Sequence, residues 1–177
     1  MWFAAHEGTA SPLQWAEDFD AVMVDVPRLG SVSQGFEVGL EEAWGEIASI
    51  IGNSPWVSCG HSRGAAQATL MTGHGVCAGH PPLYRVVFGE PPSCDQEAAK
   101  IIGSVPSYSF CNEWAGDMDP IVLVPAYIPP LFPYARVEKL TKLHAAPSPG
   151  NPWLDYPANG ALHYMPDYQR NVELMRK

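Results

Sequence analysis

Positive charge is what this chain most lacks. Ten Lys and Arg stand against nineteen Asp and Glu, a formal net charge of −9 at pH 7. Phosphate binding needs clustered Lys and Arg, so the balance argues against nucleic acid as a partner, and it gives no attraction to anionic lipid surfaces. Cysteine is scarce too. Cys59, Cys77, Cys94 and Cys111 lack metal-ligand spacing, and nothing indicates a disulfide framework. No stretch is long and apolar enough to span a bilayer. Residues Met1 to His6 are too short a leader to be a secretory signal, so at face value the chain is expected in the cytoplasm. A removed upstream segment would leave the same pattern and allow secretion.

What is present is a globular composition. Of the 177 residues 46% are hydrophobic and 16% charged, which suits one domain with a substantial core. Eighteen prolines and sixteen glycines imply long irregular connections around a compact centre.

The most informative segment is Gly60-His61-Ser62-Arg63-Gly64. Its G-x-S-x-G spacing is that of a strained strand-to-helix turn that raises a nucleophilic serine. The flanks suit the turn: Pro55 to Cys59 reads as a short apolar strand, and Ala65 to Met71 as a helix of small and straight-chain residues. Glycine is needed at both ends because a side chain would collide with the neighbouring strand or helix.

Strand and helix patterns alternate along the chain. Trp2 to Ala5 reads as a buried strand, Ser11-Pro12 opens a short helix, and Ala21 to Val26 is a second strand. Gly35 to Ile51 reads as one helix with Phe36, Leu40, Trp44, Ile47 and Ile51 in a single apolar stripe. Strands follow at Leu83 to Phe88 and Ser107 to Cys111, with a helix from about Cys94 to Ile102 between them. Pro120 to Pro133 reads as a packed loop, Ala135 to Leu143 as a further strand, and Asp167 to Arg176 as a closing helix. Such alternation predicts an α/β fold, a mainly parallel sheet flanked by helices, in one domain over residues 1–177.

Taken in order, several of these segments resemble the class 3 (fungal-type) lipases, a branch of the α/β-hydrolases. His6-Glu7-Gly8-Thr9 resembles the family's strand-end Arg-Gly-Ser/Thr, and Gln14 to Phe19 its short lid helix with a tryptophan, here Trp15. Gly30 to Phe36 is similar to the stretch leading into the helix before the elbow. Gly60 to Ala66 resembles Gly-His-Ser-Leu-Gly-Gly-Ala, and Phe88-Gly89-Glu90-Pro91 resembles Phe-Gly-x-Pro. The chain departs from the pattern at Glu7 and Arg63, and the family's N-terminal helix and first strands have no counterpart. The resemblance therefore implies a minimal or N-terminally truncated member.

A serine needs a general base, and the base an orienting acid. In α/β-hydrolases both follow the serine, acid before histidine. His144 and His163 are the two histidines far enough beyond the elbow, and the resemblance favours His163, just before the final helix. For the acid, Asp117 and Asp119 both follow the strand Ser107 to Cys111. The family's spacing of prolines after its aspartate favours Asp119, with Pro120 and Pro125. The oxyanion of an acyl transfer would be met by the backbone N–H of Arg63. The resemblance implies Thr9 as a second donor and Trp15 as a lid or substrate residue. The Arg63 side chain is expected to pair with Glu7 or Asp18, or to project into the cleft. The function expected is a serine carboxylester hydrolase of lipase type, acting on lipid or short-chain esters through an acyl-enzyme, with no metal or organic cofactor. The alternative is a hydrolase-fold protein that binds a lipid or protein partner without turnover.

Overall fold

In the computed structural model of the chain the described residues are 1–8, 22–124, 133–144, 147 and 162–174. Thr9, Trp15, Asp18, the expected lid helix and Pro125 lie outside them.

The chain begins with β1 (Trp2–His6), followed by β2 (Met23–Val26), β3 (Gly30–Ser33) and two helices, α1 (Gln34–Glu37) and α2 (Leu40–Ile51). Next come β4 (Trp56–His61), α3 (Arg63–Cys77), β5 (Tyr84–Phe88) and α4 (Gln96–Ile102). The rest is β6 (Ser107–Trp114), β7 (Asp117–Met118), a 3-10 turn at Pro120–Leu123, β8 (Thr141–His144) and α5 (Met165–Leu174). The main sheet runs β1-β4-β5-β6-β7, with β8 beside β6. Its pairings are parallel except for the β6–β7 hairpin.

Several expectations change in the structure. β1 is an exposed edge strand rather than a buried one: Trp2 is 48% and Phe3 63% exposed, and among the described residues β4 alone pairs with it. β2 leaves the main sheet and pairs with β3, a strand the sequence patterns did not suggest. The long helix from Gly35 is broken at Val38-Gly39, where Gly39 takes φ 79°. Its stripe survives the break, with Phe36, Leu40 and Ile51 buried and Trp44 and Ile47 packed against them. Cys94 forms two isolated bridges, to Val32 and to Ala135, instead of starting α4. Asp95 caps that helix by accepting from the Ala98 N–H at 2.8 Å. β6 runs on to Trp114 and turns back as β7, so Asp117 lies in a strand.

Helix α3 is the centre of the packing. Its Ala66, Leu70 and Met71 meet Leu29, Trp56 and Ile102 in one core. The sheet residues beneath it are polar as well as apolar. Ser58 donates to the Ala68 carbonyl at 2.9 Å, and Arg85, fully buried, lies between Glu90 at 2.8 Å and Glu138. The hydroxyl of Thr69 on α3 joins the same cluster through Arg85 and Glu90. A buried guanidinium is tolerable because carboxylates and hydroxyls replace its water. Replacing Arg85→Met should cost about 3–5 kcal/mol, because Glu90 is left charged in the interior. Adding Glu90→Gln should recover part of that loss in urea unfolding. Strictly additive losses would mean that the pair is not coupled.

Candidate active site

The elbow between β4 and α3 sets the site. Ser62 sits at φ 59° and ψ −130°, a strained backbone for a residue with a side chain. The sharp turn brings the strand within van der Waals contact of the helix it feeds. A Cβ on Gly60 would lie 2.1 Å from the Gly64 carbonyl oxygen, and a Cβ on Gly64 would lie 2.2 Å from the His6 carbonyl oxygen. Only glycine fits at either position. The Ser62 N–H donates to the Phe88 carbonyl at 3.0 Å, and its own carbonyl accepts from the Ala65 N–H at 2.9 Å. Arg63 is the first residue of α3, so its N–H belongs to the opening turn, at the positive end of the helix dipole. Gly8 packs here as well, its hypothetical Cβ 3.4 Å from the Cβ of Ser62. The residue that follows it, Thr9, is outside the described residues. Glu7 and Arg63, both described, form no ion pair with each other.

Asp119 and His163, separated by 44 residues, meet beside the elbow. The His163 Nδ1–H donates to Asp119 Oδ2 at 2.7 Å, with both side chains buried. The carboxylate takes two further bonds, from the Tyr168 hydroxyl to Oδ2 at 2.6 Å and from the Ile121 N–H to Oδ1 at 2.9 Å. Gly89 makes room for the pair. Its φ is 56°, and a Cβ there would sit 2.7 Å from Asp119 Oδ2 and 2.9 Å from His163 Nδ1. The other acid and histidine of the sequence reading lie elsewhere. Asp117 is exposed on β7, and the His144 side chain is 68% exposed on β8, beside Glu113 at 3.7 Å.

The titration of the site follows from these contacts. Burial alone would raise the Asp119 carboxyl. The charge of His163 and the bonds from His163, Tyr168 and Ile121 outweigh it and hold the group below its ordinary value of 3.8. Burial, reinforced by the adjacent Asp119, pushes the Tyr168 phenol well above its usual range, so it remains a donor. His61 is lowered to about 3 by burial first and by neighbouring His163 second, against smaller opposing effects of Asp119 and a backbone hydrogen bond.

Other site residues were not singled out in the sequence. Asn112 on β6 donates from Nδ2 to the Leu162 carbonyl at 2.8 Å and accepts from Asn171 on α5 at 2.9 Å. Its N–H donates to the Tyr168 hydroxyl at 3.2 Å. The available signal was slight, an amide directly after the expected strand Ser107 to Cys111, and its burial with three partners appears only in the fold.

Comparison with known proteins gives the family and the fold. Residues 3–127 match the model of the lipase (class 3) family, and the chain belongs to that family. No curated protein matches the sequence. The chain is similar to Rhizomucor miehei triacylglyceride lipase at 19% identity and TM-score 0.63, over 77% of this chain and 54% of that one. It is similar to the mono- and diacylglycerol lipase of Aspergillus oryzae at 17% identity and TM-score 0.63, over 95% of this chain and 70% of that one. A further fungal lipase is 22% identical with TM-score 0.60, over 81% of this chain and 55% of that one. The fold is that of the α/β-hydrolase lipases. The chain spans about half the length of two of these relatives.

The Asp119 network predicts an acid dependence of stability. A carboxyl depressed in the folded state contributes stability that is present above its unfolded value and is lost as pH falls through the folded value. Tyr168→Phe removes one of the bonds that depress Asp119. It should lower stability at pH 7 by about 1.5–3 kcal/mol, the range for a hydrogen bond to a charged group. In urea unfolding the gap should shrink as pH drops below 3.8, the ordinary aspartate value. A gap independent of pH would mean that the hydroxyl acts through the bond it accepts from the Asn112 N–H and not through Asp119.

Proposed function

We propose that the chain is a serine carboxylester hydrolase of lipase type, with Ser62 as nucleophile, His163 as general base and Asp119 as the acid that orients it. The observation that carries this reading is the buried 2.7 Å contact of His163 with Asp119 beside the strained Ser62 turn. Family membership supports the same reaction class. A solved relative with 19% identity and TM-score 0.62 is described as a triacylglycerol lipase whose catalytic centre is a serine protease triad.

In this mechanism the Ser62 hydroxyl oxygen attacks the ester carbonyl carbon while its proton passes to His163 Nε2. Asp119 holds the ring by Nδ1–H, which leaves Nε2 as the basic nitrogen, and it offsets the imidazolium charge that forms. The carbonyl oxygen becomes an oxyanion that accepts from the N–H of Arg63, the residue after the nucleophile, with Thr9 as the second donor by family resemblance. Collapse of the intermediate expels the alcohol, which takes the proton from His163. Water, activated by the same imidazole, then releases the acid from Ser62. The substrate class is an acyl ester, lipid or short-chain.

Turnover of a short p-nitrophenyl ester by alanine variants tests the assignment. Ser62→Ala should lower kcat by roughly 10⁴ or more, and His163→Ala by a comparable factor. Asp119→Ala should lose more than Asp117→Ala, and His144→Ala should remain near wild type. An inactive His144→Ala beside an active His163→Ala would reverse the base assignment. A wild-type chain with no ester turnover would favour a binding protein on the same fold.

A further inference from the structure

We infer that His61 is a positioning residue for the base, tying the turn that carries His163 to the elbow that carries Ser62; this rests on the triad reading above. His163 lies 102 residues beyond His61, so the covalent chain does little to fix where its imidazole sits relative to the serine. Non-covalent ties must do so. His61 is the residue directly before Ser62, and its Nε2–H donates to the main-chain carbonyl of His163 itself at 2.9 Å. Its ring also stacks on the ring of His163, centroids 4.6 Å apart and planes at 29°. The ring of Tyr168, which donates to Asp119, meets that of His61 edge-on, centroids 5.6 Å apart.

The base turn is thus held at two consecutive carbonyls by two different strands. Asn112 on β6 takes the carbonyl of Leu162 at 2.8 Å, and His61 on β4 takes that of His163. The Asn112 tie fixes the turn to the strand that leads to Asp119. The His61 tie fixes it to the nucleophile. A histidine merely satisfied in the core would need neither a bond to the main chain of the base nor a stack on its ring.

The chemistry suits the role. A carbonyl only accepts, so His61 Nε2 carries a proton in every protonation state that keeps the bond. Burial and the neighbouring His163 keep His61 neutral through the pH range in which esters are hydrolysed. A neutral ring against His163 adds no charge repulsion when the base takes up the serine proton. A cationic one would oppose that step.

The test is steady-state turnover of a p-nitrophenyl ester by the full chain, with melting temperatures measured in parallel. His61→Leu removes donor and ring and should lower kcat by about 10- to 100-fold while KM stays within about twofold, because a misplaced base acts on the transition state and not on substrate binding. His61→Gln presents an amide N–H to the same carbonyl and should recover most of that loss. If His61→Leu does not fold, His61→Phe, which keeps the ring and removes the donor, takes its place in the comparison. Wild-type kcat in the variant lacking the donor, or equal losses with and without it, would overturn the inference. A Ser62→Ala control separates the two levels: retained turnover there sinks the triad reading, whereas a dead control beside unaffected His61 variants sinks only the role of His61.

Discussion

A carboxylate cut off from water must be met by donors, and the arrangement around Asp119 follows from that requirement. Asp119 has no exposed surface, and its oxygens are met by an imidazole, a phenol and a main-chain N–H. Those donors come from α5, from the turn before it and from the 3-10 turn at Pro120–Leu123. Helix α5 is therefore tied to the sheet by polar contacts, beside the packing of the Tyr168 ring on Phe88. Its inward residues are Asp167, Tyr168 and Asn171, an unusual inner face for a helix packed on a sheet. Removing the carboxylate would leave buried donors without an acceptor, so fold and site share one set of bonds.

The second constraint is steric. The close approach of β1, β4 and α3 at Gly60 and Gly64 forces the turn at Ser62 into a backbone that costs energy. The core under α3 sustains that strain, with Trp56, Leu70 and Met71 almost wholly buried. The strained turn puts Ser62 at the head of α3, at the positive end of the helix dipole. Gly89, at the end of the neighbouring strand, opens the space in which His163 and Asp119 meet. Gly60 near the end of β4, Gly64 in the first turn of α3 and Gly89 just after β5 thus leave the space in which Ser62, His163 and Asp119 lie.

Much of this was legible in the residues, for physical reasons. The elbow is local: its geometry is dictated by five consecutive positions, and the structure places the turn there, from β4 into α3. The alternation of strands and helices was readable because buried parallel strands are short apolar runs. What misled was context. Trp2 and Phe3 look like core residues, but among the described residues β1 has a partner strand on one side only. The stripe from Phe36 to Ile51 has helical spacing, and periodicity is blind to a break at Gly39 that preserves the face. The preference for Asp119 over Asp117 and for His163 over His144 came from family spacing. The structure separates each pair by burial, which spacing does not carry. Tyr168, Asn112 and His61 act through contacts with residues 49 to 102 positions away, and no local pattern encodes those.

The claim that Ser62 is a nucleophile activated within this constellation is tested most directly by reaction with a fluorophosphonate, followed by peptide mapping of the modified residue by mass spectrometry. The account predicts one adduct per chain, on the Ser62 oxygen, and its loss when His163 is replaced by alanine. An unmodified Ser62, or an adduct on another serine that persists in Ser62→Ala, would contradict it.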